Sequence, residues 1–138
     1  MIIDATNLIA GRIATFAAKK ALLGEKIEII NCEKAVISGR AKRTIADFKQ
    51  KRERGTPTKG PFYPKSPERI MKRMIRGMLP YKKERGREAM KRIMCYKGVP
   101  EELKDKETTS IKGAEASKLM IPKLITIEQI SKQLGAKL

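Results

Sequence analysis

The chain has 138 residues, with 32 Lys and Arg against 15 Asp and Glu, for a net charge of +17; this length suits a single domain, expected over residues 1–138, with a core of its own. The absence of His excludes His-based acid/base catalysis, a Ser-His-Asp or Cys-His nucleophilic site and a His metal ligand. Apolar residues make up 41% of the chain and are spread along it, so the charge excess points to a polyanionic partner rather than to general disorder: nucleic acid first, an anionic membrane surface second.

Ile2-Ile3-Asp4-Ala5 reads as a strand. A helix follows from about Ala10 to Leu23, with Ile9, Ile13, Phe16, Ala17 and Ala21 at helical spacing and Gly24 placed for a left-handed C-cap. Lys26–Ile30 reads as a mostly buried strand, completing a βαβ unit whose crossover rule gives a parallel pair. Ser38 stands as an N-cap before a helix from about Arg40 to Arg54, with Ala41, Ile45 and Phe48 on one face and cations on the other. Residues 55–65 hold three Pro and two Gly and form a loop. Ser66-Pro67-Glu68 opens a helix that sets Ile70, Met71, Met74, Ile75 and Met78 on one face, with Met as core filler, and Gly77 and Pro80 close it.

Tyr81 to Arg87 is a basic turn leading into a short helix, Ile93–Tyr96 a strand, and residues 99–110 a polar loop. Leu124-Ile125 is a last strand, and Thr126 with Gln129 forms a capping box for a final helix ending at Gly135. The alternation predicts an α/β fold with a small, mostly parallel sheet of four strands and helices on both faces.

The charge is not spread evenly. Residues 38–98 hold 20 basic and 5 acidic residues, while the flanks are almost neutral; of the eleven arginines only Arg12 lies outside this segment. Arginine's planar fork matches phosphate oxygens and stacks on bases, so the bias marks a phosphate-tracking surface. Phe62 and Tyr63 in the loop could stack on unpaired bases or pack into the core. The absence of a helix-turn-helix, zinc-finger or basic-zipper pattern favours RNA over DNA.

Other sites find little support. The turn after the first strand has one glycine, Gly11, and fits no phosphate-cradling motif, so Gly11 reads as a close-packing or permissive backbone position. Asp4 reads as a turn residue, and Glu84 and Glu88 as partners for Arg85, Arg87 or Arg92. Cys32 and Cys95 form no CxxC pair and read as buried thiols in a reducing cytosol. The N-terminal residues do not read as a signal peptide and no apolar run approaches a membrane span, so a cytoplasmic protein is expected. An enzyme acting on RNA, or membrane attachment through the helix from Arg69 to Met78, are the rival readings.

The run Gly60-Pro61-Phe62-Tyr63-Pro64-Lys65-Ser66-Pro67, and the run from Ile75-Arg76-Gly77-Met78-Leu79-Pro80 through Tyr81-Lys82-Lys83-Glu84-Arg85-Gly86-Arg87, closely resemble universal large-subunit ribosomal protein family thirteen in its archaeal and eukaryotic form. Asp4-Ala5 with Leu8-Ile9-Ala10-Gly11-Arg12, and the stretch Ile30-Asn31-Cys32-Glu33-Lys34-Ala35-Val36-Ile37-Ser38-Gly39, are similar to the same family. The resemblance implies a three-layer α/β/α domain, located on the cytoplasmic ribosome, that binds large-subunit ribosomal RNA beside neighbouring large-subunit ribosomal proteins. It implies a part in early subunit assembly, and no enzymatic role, cofactor, metal, small-molecule substrate or membrane. On that reading Arg40, Lys42, Arg43, Lys49, Arg52 and Arg54 track phosphates from one helix. Lys59, Lys65, Arg69, Lys72, Arg73 and Arg76 extend the surface, and Lys82, Lys83, Arg85 and Arg87 enter a junction between RNA helices. Gly77 and Gly86 are expected to permit close approach of backbone to RNA.

Overall fold

A computed structural model describes residues 1–120 and 123–138. Its first thirty residues follow the sequence closely. Strand β1 (Ile2–Asp4) leads into helix α1 (Ala10–Leu22) and then strand β2 (Ile27–Ile30), which pairs parallel to β1 with Ile3 opposite Ile29. Helix α1 buries Ala10, Ala14, Ala17, Ala18 and Ala21 together with Ile13. These small side chains let neighbouring elements approach its axis closely. The helix ends as Gly24 predicts: at φ +97° the chain turns back, the Gly24 N–H donating to Ala21 O (3.1 Å) and the Glu25 N–H to Lys20 O (3.2 Å).

The sheet departs from expectation. β1, β2 and strand β4 (Ile93–Cys95) form a three-stranded parallel sheet in the order β1-β2-β4. Strand β3 (Val36–Ser38) stands apart and pairs antiparallel with strand β5 (Leu124–Thr126), so the expected four-stranded sheet gives way to a parallel triplet and a separate pair. The pairing also corrects the role of Ser38. It lies opposite Leu124 at the end of β3, and helix α2 (Ala41–Glu53) starts after Arg40 without a side-chain cap.

Helix α3 (Pro67–Gly77) begins with Pro67 at its first position; Ser66 occupies the N-cap, but its hydroxyl makes no capping bond. Ile70, Met71 and Ile75 enter the core, whereas Met78 lies past the helix end and is 45% exposed. Helix α4 (Glu84–Lys91) starts inside the run read as a basic turn, so Glu84 to Arg87 form its first turn. Helix α5 (Ile127–Gln133) carries the capping box: Thr126 Oγ1 accepts from the Gln129 N–H, and Gln129 Oε1 accepts from the Thr126 N–H, each at 3.2 Å.

The elements meet in one apolar cluster. Ile3, Ile27, Ile29 and Ile93 line one face of the sheet and pack with the buried faces of α1, α3 and α5. The opposite face holds a smaller cluster of Ile2, Ile30 and Leu103 with Tyr96 against it. A short turn at Glu101–Leu103 closes this side, where the sequence suggested a second layer of helices. Because Ile70, Met71 and Ile75 of the apolar stripe of α3 are buried in the core, most of that stripe is taken up within the protein. Among the described residues no helix is long and apolar enough to cross a membrane.

Two glycines differ in what they are for. A Cβ on Gly86 would overlap the Pro80 carbonyl and lie 2.8 Å from Tyr81 N, so this glycine serves a close approach within the protein, between α4 and the Pro80 turn. A Cβ on Gly11 would meet nothing within 4 Å, and its φ is not positive, so neither sequence reading of Gly11 holds. Gly86→Ala is therefore expected to lose about 1–3 kcal/mol through forced displacement of the Pro80 turn, and Gly11→Ala to keep stability or raise it by up to about 1 kcal/mol. Urea unfolding of the two variants checks the contrast; a Gly86→Ala protein as stable as the parent contradicts it.

Candidate nucleic-acid interface

The basic segment occupies α2, the loop that follows it, α3 and the start of α4. No residue of α2 is buried; it rests on the core only through the half-buried Ile45 and Phe48. Its amphipathic pattern therefore gives a narrow contact strip and a broad charged surface. Arg40, Lys42, Arg43, Lys49 and Arg54 are exposed along or beside α2, as are Lys59 and Lys65 in the loop, Arg69 on α3, and Lys82, Lys83, Arg85 and Arg87 around the start of α4. Arg52, Lys72, Arg73 and Arg76 are half-buried.

Four ion pairs join described residues: Lys20 with Glu25, Lys91 with Glu88, Lys118 with Glu115, and Lys132 with Glu128. None of them includes any of the sixteen candidate cations. Glu88 takes Lys91 at 2.9 Å instead of the expected arginines, and that hydrogen bond and charge hold its carboxyl below the ordinary range. The surface thus presents sixteen cations with no ion pair among the described residues, and the segment's cations outnumber its carboxylates fourfold, the state that a polyanion relieves.

Some arginines are tied to backbone carbonyls. Arg52 Nη1 donates to Leu134 O at 3.2 Å, tying α2 to the C-terminal end of α5. Arg73 Nη1 donates to Phe62 O at 3.1 Å, and Arg87 Nη2 to Lys82 O at 3.2 Å. Arg92, outside the candidate set, caps α1 through Ala21 O at 3.0 Å. A guanidinium has five donors, so one internal bond leaves others for phosphate. Sequence alone does not separate these fixed arginines from the free ones, because the acceptors of Arg52 and Arg92 lie 82 and 71 residues away and those of Arg73 and Arg87 depend on how the adjoining loops fold.

Phe62, Tyr63 and Tyr81, the aromatics of the basic segment's loops, stay out of the core. Phe62 is 67% exposed and Tyr81 39% exposed, while Tyr63 is half-buried. The Arg73 guanidinium lies 3.8 Å from the Tyr63 ring centroid and that of Arg76 4.9 Å from the Tyr81 centroid. Both pairs lie within cation–π range.

The remaining polar groups serve the scaffold. Asp4 Oδ1 accepts from the Thr6 N–H (3.0 Å), the Thr6 hydroxyl (2.7 Å) and Asn31 Nδ2 (3.1 Å). Partial burial pushes its pKa up, but these hydrogen bonds and the Lys34 charge outweigh that and hold it below the ordinary carboxylate value. Asp4 is thus the turn residue the sequence suggested. Cys32 and Cys95 are both buried and free. The fold brings them together: the Cys32 N–H donates to Tyr96 O at 3.1 Å, and the Cys95 thiol together with burial raises the Cys32 pKa far above that of an ordinary thiol. The fully buried Ser131, which the sequence did not single out, donates its hydroxyl to Lys65 O and secures the end of the basic loop. Among the described residues no three His, Cys, Asp or Glu side chains group closely enough to hold a metal.

This is a small α/β protein that carries an arginine-rich cationic surface, its sixteen candidate cations in no ion pair among the described residues. Residues 1–102 match the family described as Ribosomal protein L13. The chain is 50% identical over 137 residues to the large ribosomal subunit protein uL13 of Methanosarcina barkeri, covering 99% of this chain and 98% of that protein. It is 47% identical to the uL13 of Methanococcoides burtonii over 136 residues, with 99% and 98% covered, and 44% identical to that of Archaeoglobus fulgidus over 135 residues, with 97% and 86% covered. The chain belongs to the ribosomal protein L13 family, whose members are structural constituents of the ribosome and not enzymes.

The division between free and fixed cations has a direct consequence. The double substitution Lys42→Gln, Arg43→Gln is expected to leave stability within about 0.5 kcal/mol of the parent, whereas Arg52→Ala is expected to cost about 1 kcal/mol by releasing the α5 carbonyl. Thermal unfolding of both checks this, and equal losses would contradict it.

Proposed function

We propose that this protein is a structural component of the large ribosomal subunit that binds large-subunit ribosomal RNA through residues 38–98 and joins the subunit early in its assembly. The chain acts as one domain, with its neutral flanks supplying the scaffold and the basic segment the RNA face. The observation that carries this reading is the set of sixteen cations on α2, the loop, α3 and α4, none of them in an ion pair among the described residues. Family membership supports the ribosome, a cytoplasmic assembly in archaea, as the place of action.

Binding is electrostatic and geometric. Exposed Lys and Arg replace the counterions condensed on RNA, and the entropy of their release drives association. Lys82, Lys83, Arg85 and Arg87 cluster around the first turn of α4, which Gly86 holds against the Pro80 turn; they form a compact cationic corner suited to a junction where RNA backbones converge. Neighbouring large-subunit proteins then pack around the assembled complex.

Sedimentation of the endogenous protein tests the assignment. It is expected to travel with large ribosomal subunits and to remain there through a moderate salt wash, and a purely free pool would overturn it. Arg85→Gln with Arg87→Gln is expected to weaken binding to large-subunit RNA by about tenfold, a loss of about 1.4 kcal/mol, while the circular dichroism stays that of the parent. Unchanged affinity in the folded variant would remove these two residues from the interface.

A further inference from the structure

Between α2, the loop after it and α3 lies a groove of about 380 Å³, bounded at one end by Tyr81. That volume falls within the range of small-ligand sites. Ile70, Met74 and Phe48 contribute apolar surface, and Lys51, Arg73 and Arg76 supply charge; no carboxylate lines it. Two flat cationic surfaces are already formed there, Arg73 on Tyr63 and Arg76 on Tyr81. Arg73 is further fixed by its bond to Phe62 O, so its plane does not have to be ordered on binding.

We infer that this groove receives one unpaired nucleobase of RNA, stacked on the Tyr81–Arg76 pair, with an adjoining phosphate held by Lys51 or Arg73. A site for phosphate alone has no need of aromatic walls, and a site for an apolar side chain has no need of three cations. A planar base joined to an anion uses both. Exposed cations elsewhere on α2 and α3, such as Lys49 and Arg69, are available to phosphates of the flanking nucleotides, which a free nucleotide lacks. The inference rests on the RNA-binding reading and adds to it a contact that paired RNA cannot make.

The full-length protein is titrated into an RNA hairpin carrying a single bulged 2-aminopurine, into the same hairpin fully paired, and with adenosine monophosphate as the free nucleotide. The expected results are tighter binding to the bulged hairpin and a change in its 2-aminopurine fluorescence as the base leaves its neighbours for the groove. Tyr81→Leu is expected to weaken the bulged complex about 5- to 100-fold, the range found when a stacking side chain is removed. Binding to the paired hairpin and its salt dependence stay unchanged, and Tyr81→Trp keeps the preference. Tyr81 lies outside the core, so the variants should retain the parent's circular dichroism. Equal affinity for bulged and paired RNA, or a bulged complex indifferent to Tyr81→Leu, overturns the base site while leaving RNA binding in place. Adenosine monophosphate binding as tightly as the bulged hairpin overturns RNA as the source of the base. Binding to neither hairpin overturns the RNA-binding reading itself, and the base site with it.

Discussion

Twenty cations against five carboxylates in residues 38–98 repel one another, and among the described residues the fold holds them together with one ion pair in that segment, Lys91 with Glu88, to offset the cost. The alanine-rich face of α1 is what makes this possible. It packs against α3 and α4, so the two shorter basic helices are fastened to the sheet by buried contacts of Ile70, Met71, Ile75 and Ala89. Full burial of a large apolar side chain contributes roughly 1.5–3 kcal/mol, and several such contacts oppose a repulsion that water and salt already screen. Helix α2 has no buried residue and depends on Ile45, Phe48 and the Arg52 bond, which makes it the least secured part of the charged surface.

The same chemistry is used in two directions. Arg12, Arg52, Arg73, Arg87 and Arg92 each donate to a backbone carbonyl, closing helix ends and loops, while most of the other candidate cations point to solvent. Arginine therefore stiffens the surface as well as charging it. A surface that is already rigid loses less entropy when RNA docks, so more of the counterion-release free energy appears as affinity.

Local patterns made much of this legible. The period of Ile13, Ala17 and Ala21, the Ser66-Pro67-Glu68 start and the Thr126–Gln129 capping box are short-range signals, and the corresponding helices lie close to where those signals put them. What the sequence could not show depends on partners far along the chain. The pairing of Val36–Ser38 with Leu124–Thr126 split the expected sheet in two, and the Cys32 backbone met that of Tyr96, next to Cys95. The charged segment was visible as a composition shift, but which of its arginines are tied to backbone depends on carbonyls up to 82 residues away.

The central claim is that unpaired cations on α2, the loop, α3 and α4 bind ribosomal RNA by displacing its counterions. Its most direct test is the affinity of the purified protein for large-subunit ribosomal RNA as a function of salt. With about 6–10 phosphate contacts, the logarithm of the binding constant should fall linearly with the logarithm of salt concentration, by roughly 10³–10⁵ in affinity between 50 and 200 mM. An affinity that hardly changes over that range would contradict the account.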